Sequence, residues 1–158
     1  MKIGTLLEKK GRKVVTVKPE TSLHEVVELL RHHHIGCVIV SRDGKHVDGL
    51  VAVRDIAYAM AEREVRVRAA SGSEILDLPI SRIMTHEVHS CTEHDTLKHV
   101  MMEMARRHIL HVPVLENGEL CGIVSNDDVV KYAVEEMELE KQVLQDSILM
   151  SRTLDELR

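Results

Sequence analysis

The sequence contains no phenylalanine and no tryptophan, and only two tyrosines. Its core must therefore be built from Val, Ile, Leu and Met, which suits packed helices and strands. The same lack removes the aromatic platforms on which nucleic-acid bases stack. No basic excess compensates, because 21 Lys and Arg stand against 26 Asp and Glu, a net charge of −5. A general nucleic-acid binder carries a basic balance or stripe, so nucleic acid is not an expected partner. Positive charge is only local, at Arg54 and at Arg106 and Arg107. No apolar run approaches the ~20 residues needed to cross a bilayer, and the start, MKIGTLLEKKGRK, is too polar for a secretory signal. No membrane partner is expected. Three scattered cysteines, Cys37, Cys91 and Cys121, form no C-x-x-C pair and read as reduced thiols of a cytoplasmic protein.

What is present is repetition. The chain has 158 residues, 44% of them apolar, enough for one domain or for two halves sharing a core. Leu23, Val26, Val27 and Leu30 are spaced as one buried helix face. Leu97, Val100, Met101 and Met104 repeat that spacing 74 residues later (97 − 23). Ser22, with Glu25 completing a capping box, and Thr96 are the matching N-caps. Ile35 pairs with Ile109, the strand CVIV (37–40) with HVPV (111–114), and a turn at Gly44 with one at Gly118. GLVAVRD (49–55) then pairs with GIVSNDD (122–128). The lead-ins agree too, with Ile3, Leu6 and Leu7 resembling Ile80, Ile83 and Met84 ahead of strands VVTV (14–17) and VHSC (88–91). Each half reads strand, helix, strand, strand, helix. The closing helices are expected to begin near Asp55 and Asp128, and RDIAYAMAERE (54–64) reads as a helix.

The repeated phrase has two chemical readings. A Ser three residues before an Asp at a helix start is a capping arrangement that satisfies free backbone N–H groups. The same Asp can accept both hydroxyls of a ribose, while the helix N-terminus favours an anionic phosphate. The two roles can coexist.

These residues resemble the CBS domain, the module named after cystathionine β-synthase, in its stand-alone tandem form. The resemblance rests on VTVKP (15–19), the helix spacing, Ile109 to Val114 and Gly122 to Asp128, and covers about residues 1 to 133. It implies an α/β (α+β) fold of two β-α-β-β-α repeats packed with pseudo-twofold symmetry. The repeats are expected at 1–70 and 71–133, followed by a C-terminal helical extension at 134–158. It also implies two clefts for an adenosine-containing ligand: AMP, ADP, ATP, NAD(H) or S-adenosylmethionine. Carried over residue by residue, one cleft would combine Ser125 and Asp128 with Thr16, Ile35, Gly36 and Cys37. Asp128 would hold the ribose, Ser125 and Thr16 would form a polar rim, and Ile35 would lie against the adenine. The other would combine Arg54 and Asp55 with Ser90, Ile109 and His111. There Ala52 replaces the serine, and Arg54 and His111 are suited to phosphate.

Eleven histidines raise a metal reading, but His32, His33 and His34 are consecutive and point in different directions, and no zinc spacing appears. No obligatory cofactor or metal is expected. His24 with Glu28, and His99 with Glu103, are i, i+4 neighbours. Met101, Met102 and Met104 read as core filling. No nucleophile sits on a recognisable elbow beside an assignable base, so the chain is not expected to be an enzyme. The tail, from Ala133, reads as helical, and Val130, Val134, Met137, Leu144 and Ile148 form one narrow stripe leading into and along it, interrupted by Lys141. That stripe packs on its own module, on a second subunit or on a client protein. The sequence thus reads as a regulatory, energy-sensing nucleotide module, homodimeric. The rival readings are a structural or interaction protein with vestigial clefts, and a metal- or thiol-dependent enzyme.

Overall fold

The computed structural model describes residues 1–62 and 75–156. The first half runs α1 (Ile3–Lys10), β1 (Thr16–Val17), α2 (Leu23–His33), β2 (Cys37–Val40), β3 (Gly49–Ala52) and α3 (Val53–Ala61). After a 3-10 turn at Ile80–Arg82, the second runs β4 (Cys91–Thr92), α4 (Leu97–Arg107), β5 (His111–Glu116), β6 (Glu119–Ser125) and α5 (Asn126–Glu156). The fold is thus mixed α/β, with the same β-α-β-β-α order twice. The first strand of each half is shorter than its apolar run. The helix expected at 54–64 reaches Ala61, and residues 63 and 64 lie outside the described residues, as does the expected boundary at 70/71. The described part of the expected extension continues the closing helix of the second half, because α5 runs unbroken from Asn126 to Glu156.

Helix starts follow local chemistry. Ser22 Oγ accepts the Glu25 N–H and the Glu25 carboxylate accepts the Ser22 N–H, both at 3.2 Å. Thr96 Oγ1 accepts the His99 N–H at 3.2 Å. Of the α4 methionines only Met104 is buried, while Met101 and Met102 are 39% and 60% exposed. Two of the three expected core methionines therefore face outward. Glu103 bonds Arg106 and Arg107 rather than His99, and Glu28 bonds Arg31.

Each half builds a three-stranded sheet in which the first strand is parallel and the third antiparallel to the middle one. Alternation sends the side chains of β2 to two different cores. Val38 and Val40 pack with Leu23, Val26 and Leu30 of α2. Cys37 and Ile39 point the other way, into a layer with Val88, Leu120 and Ile123 of the second half. The order across the molecule is helices, sheet, sheet, helices, with the sheets face to face.

The lead-ins cross over. Ile3, Leu6 and Leu7, all fully buried, belong to the core of the second half, with Leu97, Val100, Val112 and Val124. Their backbone is tied there too: Ile3 N–H donates to the Asp95 carbonyl, and Leu97 N–H to the Met1 carbonyl, at 2.9 and 3.0 Å. Reciprocally, Ile80 is fully buried in the first half's core, and its N–H donates to the Thr21 carbonyl at 2.8 Å.

This exchange explains the glycine that opens the repeated phrase. A Cβ on Gly122 would lie 2.7 Å from Leu7 Cδ1, and one on Gly49 would lie 2.6 Å from Met84 Sδ. Neither glycine is at positive φ. Each is small because the other half's lead-in lies on its Cα. Gly122→Ala should therefore cost about 1–3 kcal/mol by overpacking. In a Leu7→Ala background, itself about 2–5 kcal/mol less stable, the same change should cost much less. Denaturant unfolding of the two single variants and the double variant measures this. Strict additivity would refute the contact.

Candidate functional site

Two clefts open at the seam between the sheets. The first, of about 550 Å³, is lined by Val14, His33, His34, Ile35, Gly36, Cys37, Leu110, His111, Ser125 and Asp128, with Lys10 and Lys13 at its edge. The second, of about 390 Å³, is lined by Gly36, Leu50, Ala52, Arg54, Asp55, Thr85, Val88, His89, Arg107, Ile109 and His111. Of the residues expected in the first cleft, the structure brings together Ile35, Gly36, Cys37, Ser125 and Asp128. In the second it brings together Arg54, Asp55, Ile109 and His111. Thr16 and Ser90 are not among the residues lining either cleft. Thr16 is exposed and lies in outer grooves, one beside Arg12 and Cys121, the other along α2, while Ser90 lines neither cleft. Two residues along extended chain is about 6.6 Å, so Val14 and Val88 occupy the wall instead.

In the first cleft, α5 begins against Asp128. Its Oδ2 accepts the Ser125 N–H and the Ser125 hydroxyl, both at 2.9 Å, and the Lys10 ammonium at 2.5 Å. The Asp128 N–H donates back to Ser125 Oγ at 3.3 Å, so the capping arrangement is real. Oδ1 takes none of these bonds. Burial opposes ionisation of this carboxyl, but the bonds from Lys10 and Ser125 outweigh it and hold it below its ordinary range. Lys10, Lys13, His33 and His34 escaped the sequence reading. The two histidines directly precede Ile35, a signal that was available. The lysines reach the cleft only through packing of α1 across the halves.

In the second cleft, Asp55 accepts the Ala52 N–H at 2.8 Å and lies 3.5 Å from Thr85 Oγ1. Ala52 supplies no hydroxyl. Arg54 donates to the His108 carbonyl at 2.9 Å, at the end of α4. His89 lies 3.7 Å from Glu103, and burial, then Arg107, depresses it.

Gly36 and His111 line both clefts. A Cβ on Gly36 would lie 2.9 Å from His111 Nε2, so only glycine admits the ring to this shared wall. Cys37 and Cys91 are pushed up to about 12, by burial first and then by Asp55 and Asp95 respectively. They are thiols rather than nucleophilic thiolates at neutral pH. Glu93, Glu116 and Cys121 place donor atoms within 4.8 Å of one another, but the Arg12 guanidinium already pairs with Glu93, and burial and Glu93 keep Cys121 protonated. No described helix is long and apolar enough to cross a membrane.

Two face-to-face sheets, exchanged lead-ins and a pair of clefts at helix N-termini define a tandem β-α-β-β-α module. The CBS-domain family model matches residues 10–62 and 80–135, and the chain belongs to that family. Among solved structures, a CBS-domain protein from Agrobacterium tumefaciens is similar at 38% identity and a TM-score of 0.74, covering 84% of this chain and 99% of that one. The CBS domain pair of protein MJ0100, determined with methylthioadenosine and S-adenosylmethionine, matches at 22% identity and a TM-score of 0.71, over 86% and 98% of the two chains. A 17.7 kDa protein of Acidianus ambivalens is 31% identical over 120 residues, 75% of this chain and 66% of that protein. The family match and these relatives indicate no catalytic family.

The shared histidine gives a pH dependence. Burial holds His111 below its ordinary range, with Arg54 adding to the depression and Asp127, Asp128 and Asp55 opposing it. Above about pH 6.5 the ring is neutral in both folded and unfolded chains and contributes nothing. Below that, the unfolded chain takes up the proton first, so stability is lost as pH falls. The melting temperature should drop between about pH 7 and about pH 5.5, and drop less in His111→Gln. Parallel curves would mean that His111 does not titrate differentially.

Proposed function

We propose that this module is a cytoplasmic regulator that binds an adenosine-containing nucleotide (AMP, ADP, ATP or NAD(H)) in its two clefts and performs no catalysis of its own. The observation that carries this reading is the duplicated aspartate. Asp128 and Asp55 each stand at a helix N-terminus, each beside an apolar wall from the opposite half. A carboxylate suits the ribose hydroxyls, the N–H groups suit phosphate, and Ile35 or Ile109 suits an adenine face. The ligands of the MJ0100 pair support an adenosine moiety. Occupancy would act on a client protein by favouring one of two arrangements of the halves, which fits energy sensing.

Asp128→Ala should weaken the tighter phase by about 10–150-fold, since a bond to a charged acceptor contributes about 1.5–3 kcal/mol. Asp55→Ala should leave that phase largely intact. Calorimetric titration of AMP and ADP into wild type and both variants decides this. If Asp128→Ala leaves the tight phase untouched for every nucleotide, Asp128 is not the principal ribose site.

The module is also proposed to be a homodimer. Val130, Val134, Met137, Leu144 and Ile148 follow a 4-3-7-4 spacing along α5, with Lys141 at the intervening seam position, and Met137, Leu144 and Ile148 are 69%, 64% and 54% exposed. Such a seam is what a second helix covers. A twofold axis near Lys141 sets Met137 against the partner's Leu144 and Val134 against the partner's Ile148, an isologous contact. It also brings Lys141 beside the partner's Glu140. Truncation after Glu138 keeps Glu136, which binds the Met1 amine, and should shift sedimentation toward monomer. Unchanged association would assign the tail to the client.

A further inference from the structure

Among the described residues, one contact in the Asp128 cleft has no counterpart in the other. Leu7 and Met84 are matched by their places over Gly122 and Gly49, and Val14 and Val88 by their places in the cleft walls. Six residues, 8–13, lie between the first pair, and three, 85–87, between the second. The longer connection extends α1 where the second half has only a 3-10 turn. Lys10 and Lys13 lie in it. Lys10 Nζ bonds Asp128 Oδ2 at 2.5 Å and the Ile123 carbonyl at 2.8 Å. The two side chains are only 21% and 20% exposed, so the pair is shielded from much of the screening a surface pair meets. The oxygen that Lys10 holds is one of the two a ribose diol would use.

We infer that Lys10 is a specificity-determining latch, which yields Asp128 to ligands that carry a phosphate and withholds it from neutral or cationic adenosine compounds. The inference rests on the nucleotide reading of this cleft. A ligand with a phosphate offers the ammonium a replacement anion, so Lys10 swings on its flexible stem from carboxylate to phosphate and both charges stay paired. A neutral nucleoside offers none, and freeing Asp128 then separates two partly buried charges without compensation. Lys13, His33 and His34 line the same cleft, where a second phosphate would extend. The other cleft carries Glu87 in the shortened connection and Thr85 near Asp55, so it lacks this device.

The test is calorimetric titration of adenosine, AMP and ADP into wild type, Lys10→Met and Lys10→Arg, read on the phase that Asp128→Ala weakens. Wild type should prefer ADP over adenosine by roughly tenfold or more. Lys10→Met should bind adenosine more tightly than wild type and ADP more weakly, so that the preference collapses. Lys10→Arg should retain it. Equal loss for both ligands in Lys10→Met would make Lys10 a supporting residue of the cleft, and no change for either would make the ion pair irrelevant. Both outcomes overturn the latch and leave the nucleotide reading standing. Wild type that binds none of the three overturns that reading and the latch together. Lys13→Gln, which leaves the ion pair in place, gives a second arm: ADP should weaken with adenosine unchanged, and an unchanged ADP affinity counts against phosphate on this side.

Discussion

Leu7 lies in the core of the half to which it does not belong by sequence, and most of the architecture follows from that exchange. Each half is a small sheet with two helices, and neither closes its own core. Ile3, Leu6 and Leu7 fill the second, and Ile80 fills the first. Burying an aliphatic side chain fully is worth about 1.5–3 kcal/mol, so the exchanged residues are a large part of what holds the halves together. Gly122 and Gly49 are consequences. They mark where an exchanged side chain reaches the strand behind it.

The clefts are a further consequence. Once the sheets face each other, the N-termini of α3 and α5 open onto the seam with their first N–H groups pointing into it. Those groups find acceptors within the chain, Val53 N–H in the Gly36 carbonyl, Asn126 N–H in the Leu110 carbonyl and Asp128 N–H in Ser125 Oγ, while the Asp55 and Asp128 carboxylates accept the N–H of the residue before each helix. The carboxylates brace the helix starts whatever else they bind, a cap of this kind contributing about 0.5–2 kcal/mol. That dual duty is why the capping and ligand-binding readings of the repeated phrase compete only on paper. In the first cleft the cap uses mainly Oδ2 and leaves the other oxygen directed elsewhere.

The features legible in the sequence are those set by neighbours in the chain. Helix faces, the Ser22 and Thr96 caps and the strand order follow from periods and short-range bonds, and the repeat counted each twice. Placement along a strand was less legible. Thr16 and Ser90 belong to the expected strands, yet each falls beyond the cleft, because periodicity fixes a face and not a distance. Arg54 does line its expected cleft, and one N–H of its guanidinium donates to the His108 carbonyl, a contact that no local pattern announces. Lys10 was invisible for the same reason. It is 118 residues from Asp128 in sequence, and no local pattern announces a contact created by crossing lead-ins.

The change from Ala52 to Ser125, the most visible difference between the copies, is the smaller part of their asymmetry. One hydroxyl in the capping network is a neutral bond of about 0.5–1.5 kcal/mol. The larger difference is what the cations hold: Lys10 pairs with Asp128 in one cleft, whereas in the other Arg54 holds the His108 carbonyl and Arg107 pairs with Glu103. Yet the two cavities are not independent. Gly36 and His111 wall both, and the ring lies so close to Gly36 that no Cβ fits between them. The acidic groups opposing its depressed proton affinity come from both α5 and α3. A side chain packed this tightly between two cavities cannot shift to suit one without changing the shape and charge of the other.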